Sequence, residues 1–87
     1  MLMQVFSILD VKTGAFGSPF FAFNVSVAQR NVAAAVRDGE SMLSKFPGDF
    51  QLFQIGSFDD GSGLLEPMVP PLAVCNVASL REVVHAS

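Results

Sequence analysis

The sequence reads as an α+β domain: a small antiparallel sheet of about three strands packed with one main helix and a short C-terminal helix, in the order β-α-β-β-α. Three observations predict it. Leu2 to Leu9 is a run of strand length rich in β-branched and aromatic residues. Val25 to Val36 repeats apolar side chains at helical spacing. Phe50 to Met68 is a pair of apolar runs joined across Asp59-Asp60-Gly61-Ser62-Gly63, a hairpin composition.

The first strand, Leu2 to Leu9, carries Val5, Phe6, Ile8 and Leu9, so both of its faces are apolar and it belongs inside a sheet or against a partner. Asp10 to Pro19 reads as a loop, because Gly14 and Gly17 accept backbone angles that other residues resist and Pro19 cannot donate to a ladder. A helix begins near Asn24 or Ser26, either of which can accept a hydrogen bond from a free N–H of the first turn, and ends by Gly39. Val25, Ala28, Val32, Ala35 and Val36 form its apolar face, with Arg30, Asn31, Arg37 and Asp38 mostly away from it. Residues 40–49 make a turn or one helical turn that stops before Pro47 and Gly48.

Phe50 to Phe58 is the second strand and Leu64 to Met68 the third. Pro67, Pro70 and Pro71 then forbid regular pairing, and a short helix follows from Ala78 to His85, capped by Asn76 or Ser79. No repeat or linker divides the chain. Residues 1–87 are expected to form a single domain, with residues 67–87 serving as a C-terminal arm or interface segment.

A domain of 87 residues buries only ~60% or slightly more of its unfolded surface, which makes a monomer marginal. With 51% apolar residues and a mean hydropathy of +0.48, self-association is the natural outlet. We expect a homodimer, with the N-terminal strand and the tail in its contact. Cys75, the single cysteine, cannot close an internal disulfide, which fits a reducing compartment. Residues 1–11 lack the basic start and cleavage site of a signal peptide, and Thr13 to Gln29, the longest uncharged run, is broken by Gly14, Gly17, Pro19 and Asn24. The expected location is cytoplasmic, without membrane contact.

The net charge of −3 opposes phosphate binding, because only Lys12, Arg30, Arg37, Lys45 and Arg81 are cationic. Catalytic spacings are absent, and no enzyme, metal or cofactor is expected. His85 near the end of the chain and Cys75 cannot close a zinc site alone. Asp59, Asp60 and Glu66 could be imagined as a cation site, but Asp59 to Gly63 is accounted for as a turn. Gly14 and Gly17 lack the Lys-Ser or Lys-Thr of a phosphate cradle. Among nine phenylalanines, Phe16, Phe20, Phe21 and Phe23 flank the loop that holds Lys12 and could stack on unpaired bases, although phenylalanine is more at home in a core. Arg30 and Arg37, two turns apart on one helix face, could grip a phosphate backbone.

Several phrases occur in order: Phe6-Ser7-Ile8 with Asp10; Lys12; Pro19-Phe20-Phe21; Ser44-Lys45 with Pro47 and Asp49-Phe50; and Ile55-Gly56-Ser57-Phe58-Asp59-Asp60. In that order they resemble the small nonstructural protein of gokushoviruses, single-stranded DNA phages of the microvirus group. The resemblance implies a protein made in the infected bacterium that binds DNA and switches viral replication toward single-stranded genomes, without bond chemistry. It implies binding positions at Lys12, Phe20, Phe21 and Lys45, to which helix geometry adds Arg30 and Arg37. Implied partners are single-stranded DNA and the replication-initiation protein. The tail from Leu64 onward is longer and more apolar than that pattern, which favours an interface there. The alternative is a protein adaptor or assembly factor that works as a homo-oligomer without touching DNA.

Overall fold

The computed structural model describes residues 1–81. Strand β1 (Leu2–Asp10) is followed by two short strands, β2 (Ala15–Phe16) and β3 (Phe20–Ala22), then helices α1 (Val25–Arg37) and α2 (Met42–Lys45). A 3-10 turn (Pro47–Asp49) leads into β4 (Phe50–Asp59) and β5 (Leu64–Asn76), and residues 78–81 are helical. The α+β class holds, but the sheet has five strands rather than about three, and the order differs from β-α-β-β-α. The expected helix from Ala78 continues to Arg81; its remainder, with His85, lies outside the described residues.

All pairings are antiparallel. β1 is central, with β4 on one side and both β2 and β3 on the other; β5 forms the far edge beyond β4. The stretch expected to be a loop after Asp10 therefore folds back on β1 as a broken strand. Leu9 faces Phe16 and Phe6 faces Phe20, and the Gly17 N–H donates to the Ile8 carbonyl at 2.8 Å. Pairs of two and three residues are too short to show a period in sequence, which is why Ala15–Phe16 reads as loop and Phe20–Ala22 as no element.

β5 corrects the expected stop at Met68. Pairing runs from Asp59↔Leu64 to Gly56↔Pro67, skips, and resumes from Gln54↔Leu72 to Gln51↔Asn76. Residues 68–71 thus lie opposite Ile55 alone. Pro70 and Pro71 occupy a bulge on an edge strand, where a missing N–H removes no ladder bond. The Val69–Pro70 peptide is cis. With this bulge on one edge and the Gly17–Pro19 break on the other, neither edge offers an unbroken ladder for another chain.

The helices cover one face of the sheet. Asn24 caps α1 by accepting the Val27 N–H at 2.9 Å, and Gly39, with φ of +80°, follows its C-terminal end. Ala28, Val32, Ala33 and Val36 are the buried residues of α1, so Ala33 is buried where the pattern favoured Ala35. They meet Phe6, Ala22 and Leu52 from the sheet, with Val77 and Leu80 after β5 closing the cluster. Ser41 caps α2 through the Ser44 N–H, and Asn76 caps the helical residues 78–81 through the Ala78 N–H at 2.8 Å.

Candidate binding face

Strand alternation sends Phe6 and Ile8 toward the helices and Met3, Val5, Ser7 and Leu9 to the opposite face. Register carries this second face across the sheet: Leu9 meets Phe16, Val5 meets Phe21 and Gly56, Ser7 meets Phe53, and Met3 meets Phe58. On the far strand Leu65 stands opposite Phe58 and Pro67 opposite Gly56. None of these side chains joins the helix-side core, and among the described residues no element covers them. The result is a sheet with one face packed and the other apolar but open.

Two aromatic pairs roof β1 on this open face. Phe16 from β2 and Phe53 from β4 meet edge to face with ring centroids 5.2 Å apart, and Phe21 from β3 meets Phe58 from β4 at 5.6 Å. Because β1 runs between those strands, the pairs bridge it, which accounts for Val5 being 3% exposed and Ser7 1% exposed on a face without a second layer. The Ser7 hydroxyl is satisfied by donating to the Gly17 carbonyl at 2.8 Å. The outer sides of the rings stay in solvent: Phe16 and Phe21 are 46% and 50% exposed.

Beside the Phe21–Phe58 pair lies a groove of about 480 Å³, walled by Pro19 and Phe21 on one side and Leu65, Glu66 and Pro67 on the other, with Val5, Ile55 and Gly56 between. Gly56 is required there because a Cβ at that position would stand 2.3 Å from the Glu66 carbonyl oxygen. The open-face positions named above are all uncharged. Such a surface can bury apolar or aromatic groups, but it has no means of holding a phosphate or moving a proton. Among the described residues no cluster of histidine, cysteine and carboxylates is placed to hold a metal ion, and no helix is long and apolar enough to cross a membrane.

A family model described as Phage ORF5 protein matches residues 3–80. The chain belongs to that phage family. None of the curated proteins and none of the solved structures matches it. The matched span begins in β1 and closes at Leu80, the last buried side chain among the described residues, so the phage ORF5 match covers the packed unit they form.

The fold of this phage ORF5 chain distributes the residues singled out by sequence. Phe20 is half-buried in the helix-side core, its ring stacked on Phe6 at 5.8 Å, whereas its neighbour Phe21 lies on the open face. Arg30 and Arg37 are exposed on α1, in the layer across the sheet from Phe21. Lys12 is exposed in the turn after β1, where its N–H donates to the Asp10 carboxylate at 2.9 Å. Lys45 is exposed at the end of α2. Lys12 and Lys45 share one end of the molecule, where the Val11 N–H donates to the Asp49 carbonyl. The fold therefore groups Lys12 with Lys45 and separates both arginines from Phe21.

Phe16, Phe53, Phe58 and Leu65 are the binding-face residues that sequence reading did not assemble. The available signal was alternation from Phe6: with that ring inward, Val5, Ser7 and Leu9 must face away, and strands pairing with them must add to the second face.

Proposed function

We propose that the chain is a nonstructural protein of gokushoviruses that works in the cytoplasm of the infected bacterium by stoichiometric binding, without bond chemistry, and that its aromatic sheet face docks on protein. In that role it is an adaptor or assembly factor, acting as a homo-oligomer, that modulates viral DNA replication toward single-stranded genomes. The observation that carries this reading is the broad open face on which Phe16, Phe21, Phe53, Phe58 and Leu65 gather, with no charged residue at the register positions they share. Exposed contiguous apolar surface marks an interaction site, and depletion of charge is the signature of an interface centre.

Direct contact with DNA is the second reading, and one observation favours it. Arg30 and Arg37 are both exposed on α1, roughly 10 Å apart along the helix axis, within reach of neighbouring phosphates. Fluorescence anisotropy with labelled single- and double-stranded oligonucleotides across a salt series separates the two. The docking reading expects no affinity for either form at low salt, together with binding to protein, either a second copy or the purified phage replication-initiation protein, that Phe21→Glu abolishes. Tight DNA binding that falls steeply with salt, and weakens in Arg30→Ala and Arg37→Ala, would overturn it in favour of DNA contact.

A further inference from the structure

We propose that the occupant of the aromatic face is a second copy of this chain, laid face to face so that two helix-on-sheet units close into a four-layer sandwich. The inference rests on the reading of this face as a protein-docking surface and names its partner. Three features select a second copy over a different protein.

The first is polarity. Interfaces between partners that also live apart are about as polar as the rest of the surface, whereas homodimer centres are more apolar. Across β1 to β5 the open-face positions are mostly apolar, with Gln51 and Asn76 confined to the Leu9 end of the sheet and the Ser7 hydroxyl already satisfied within the chain. Such a face resembles half of a divided core.

Charge is the second feature. The chain carries −3, so two copies repel unless their carboxylates stay out of the contact. Asp59 and Asp60 lie at the hairpin end of the sheet, and Glu66, between Leu65 and Pro67, alternates to the other face. A second copy therefore meets one carboxylate residue in the groove, Glu66, whose strand position alternates away from the face, and leaves Asp59 and Asp60 outside the contact.

Shape and size supply the third. The molecule measures 38 × 31 × 19 Å, a slab one helix layer and one sheet thick. Its broad face is large enough for the ~800 Å² per partner that a stable interface needs. The face carries a ridge, Phe16 with Phe53, and further along the strands the groove between Phe21 and Leu65. A two-fold axis lying between the sheets and across the strands reverses strand direction, so the ridge of each copy enters the groove of the other. Sheets packed this way stand ~10 Å apart.

The test is sedimentation velocity on the full chain at micromolar concentration, with far-UV circular dichroism to confirm folding. The wild type should sediment at twice 9.3 kDa. Phe16→Glu on the ridge and Leu65→Glu on the groove wall should each raise the dissociation constant about thirtyfold or more, the loss of an interface anchor. Met42→Glu, on the exposed surface of α2, should leave the dimer intact. A monomeric wild type overturns the inference, as does a dimer that survives both ridge and groove variants. If that monomer still binds the initiation protein through Phe16 and Leu65, the dimer fails and the docking reading stands; if it binds neither, both fail.

Discussion

Phe21 and Phe58 meet across β1 with ring centroids 5.6 Å apart and planes tilted by 50°, and together they shelter Val5 from solvent. The consecutive aromatics Phe20 and Phe21 therefore serve opposite faces of the sheet, Phe20 stacking on Phe6 in the core and Phe21 roofing β1. Phe21→Ala should cost the protomer about 1–2 kcal/mol, the pair energy plus part of the burial of a half-exposed ring. Phe6→Ala, at a side chain with no exposure, should cost about 3–5 kcal/mol. Urea denaturation of the two variants checks the ratio, and equal losses would show that Phe21 belongs to the main core.

Gly56 sits where β4 and β5 pass closest, at the start of the skip that frees residues 68–71. The obstruction facing a new methyl group is backbone, the Glu66 carbonyl at 2.3 Å, which cannot swing aside as a side chain would. Gly56→Ala should therefore destabilise by about 1–3 kcal/mol, the usual range for overpacking. Amide hydrogen exchange should localise the loss to the hairpin between Asp59 and Pro67. Gly48→Ala is the control, since nothing lies within 4 Å of the added carbon there.

Much of the fold was legible because the physics that sets it is local. Leu2 to Leu9, the Asn24 cap, the alanine-rich face of α1, the Ser41–Pro47 segment and the glycine-rich hairpin each declare themselves within a few residues. β2 and β3 did not, because two or three residues contain no period. β5 did not, because the rule that proline breaks a strand holds only where its N–H would have donated, and an edge bulge makes no such demand. The site was less legible than the fold. The phrases Phe6-Ser7-Ile8, Pro19-Phe20-Phe21 and Ile55-Gly56-Ser57-Phe58 place core rings, the buried hydroxyl, the roof and the close strand crossing, so much of what they encode is architecture. Which phenylalanines share a face depends on register between strands far apart in sequence.

Asn24 has extended backbone, and its side chain accepts the Val27 N–H, satisfying one of the otherwise free donors of the first turn. That turn has no acidic residue, so the cap is not backed by a carboxylate against the helix dipole. Asn24→Ala should lower stability by about 1 kcal/mol, while Asn24→Asp, which keeps the acceptor and adds a negative charge, should match or exceed the wild type. Thermal unfolding of the three proteins in one buffer decides this, and an alanine variant as stable as the wild type would show that tertiary packing alone fixes the start of α1.

The hairpin end gives a pH dependence whose sign follows from its geometry. The Gly61 N–H donates to the Asp59 carboxylate at 2.9 Å, and the Met1 ammonium lies 3.4 Å from it, so the carboxyl is held below its ordinary range, first by that backbone bond and then by the ammonium. A lowered folded-state value means that the contribution is complete above the unfolded carboxylate's pKa and is lost as pH falls through the folded one. The ammonium is shifted the other way, upward, chiefly by its bond to Asp60. Its contribution is complete below its unfolded value and disappears as pH rises through the folded one. The two groups thus leave a plateau through neutral pH with a decline at each side, small because solvent reaches and screens both. Asp59→Asn should keep an acceptor for the Gly61 N–H yet remove the charge, lowering stability at neutral pH and flattening the acid decline that sets in as pH falls below the ordinary carboxylate value of 3.8. Melting temperatures of wild type and variant taken from neutral pH down through the acid decline should converge as pH falls; curves that stay parallel would show that Asp59 contributes nothing through its charge.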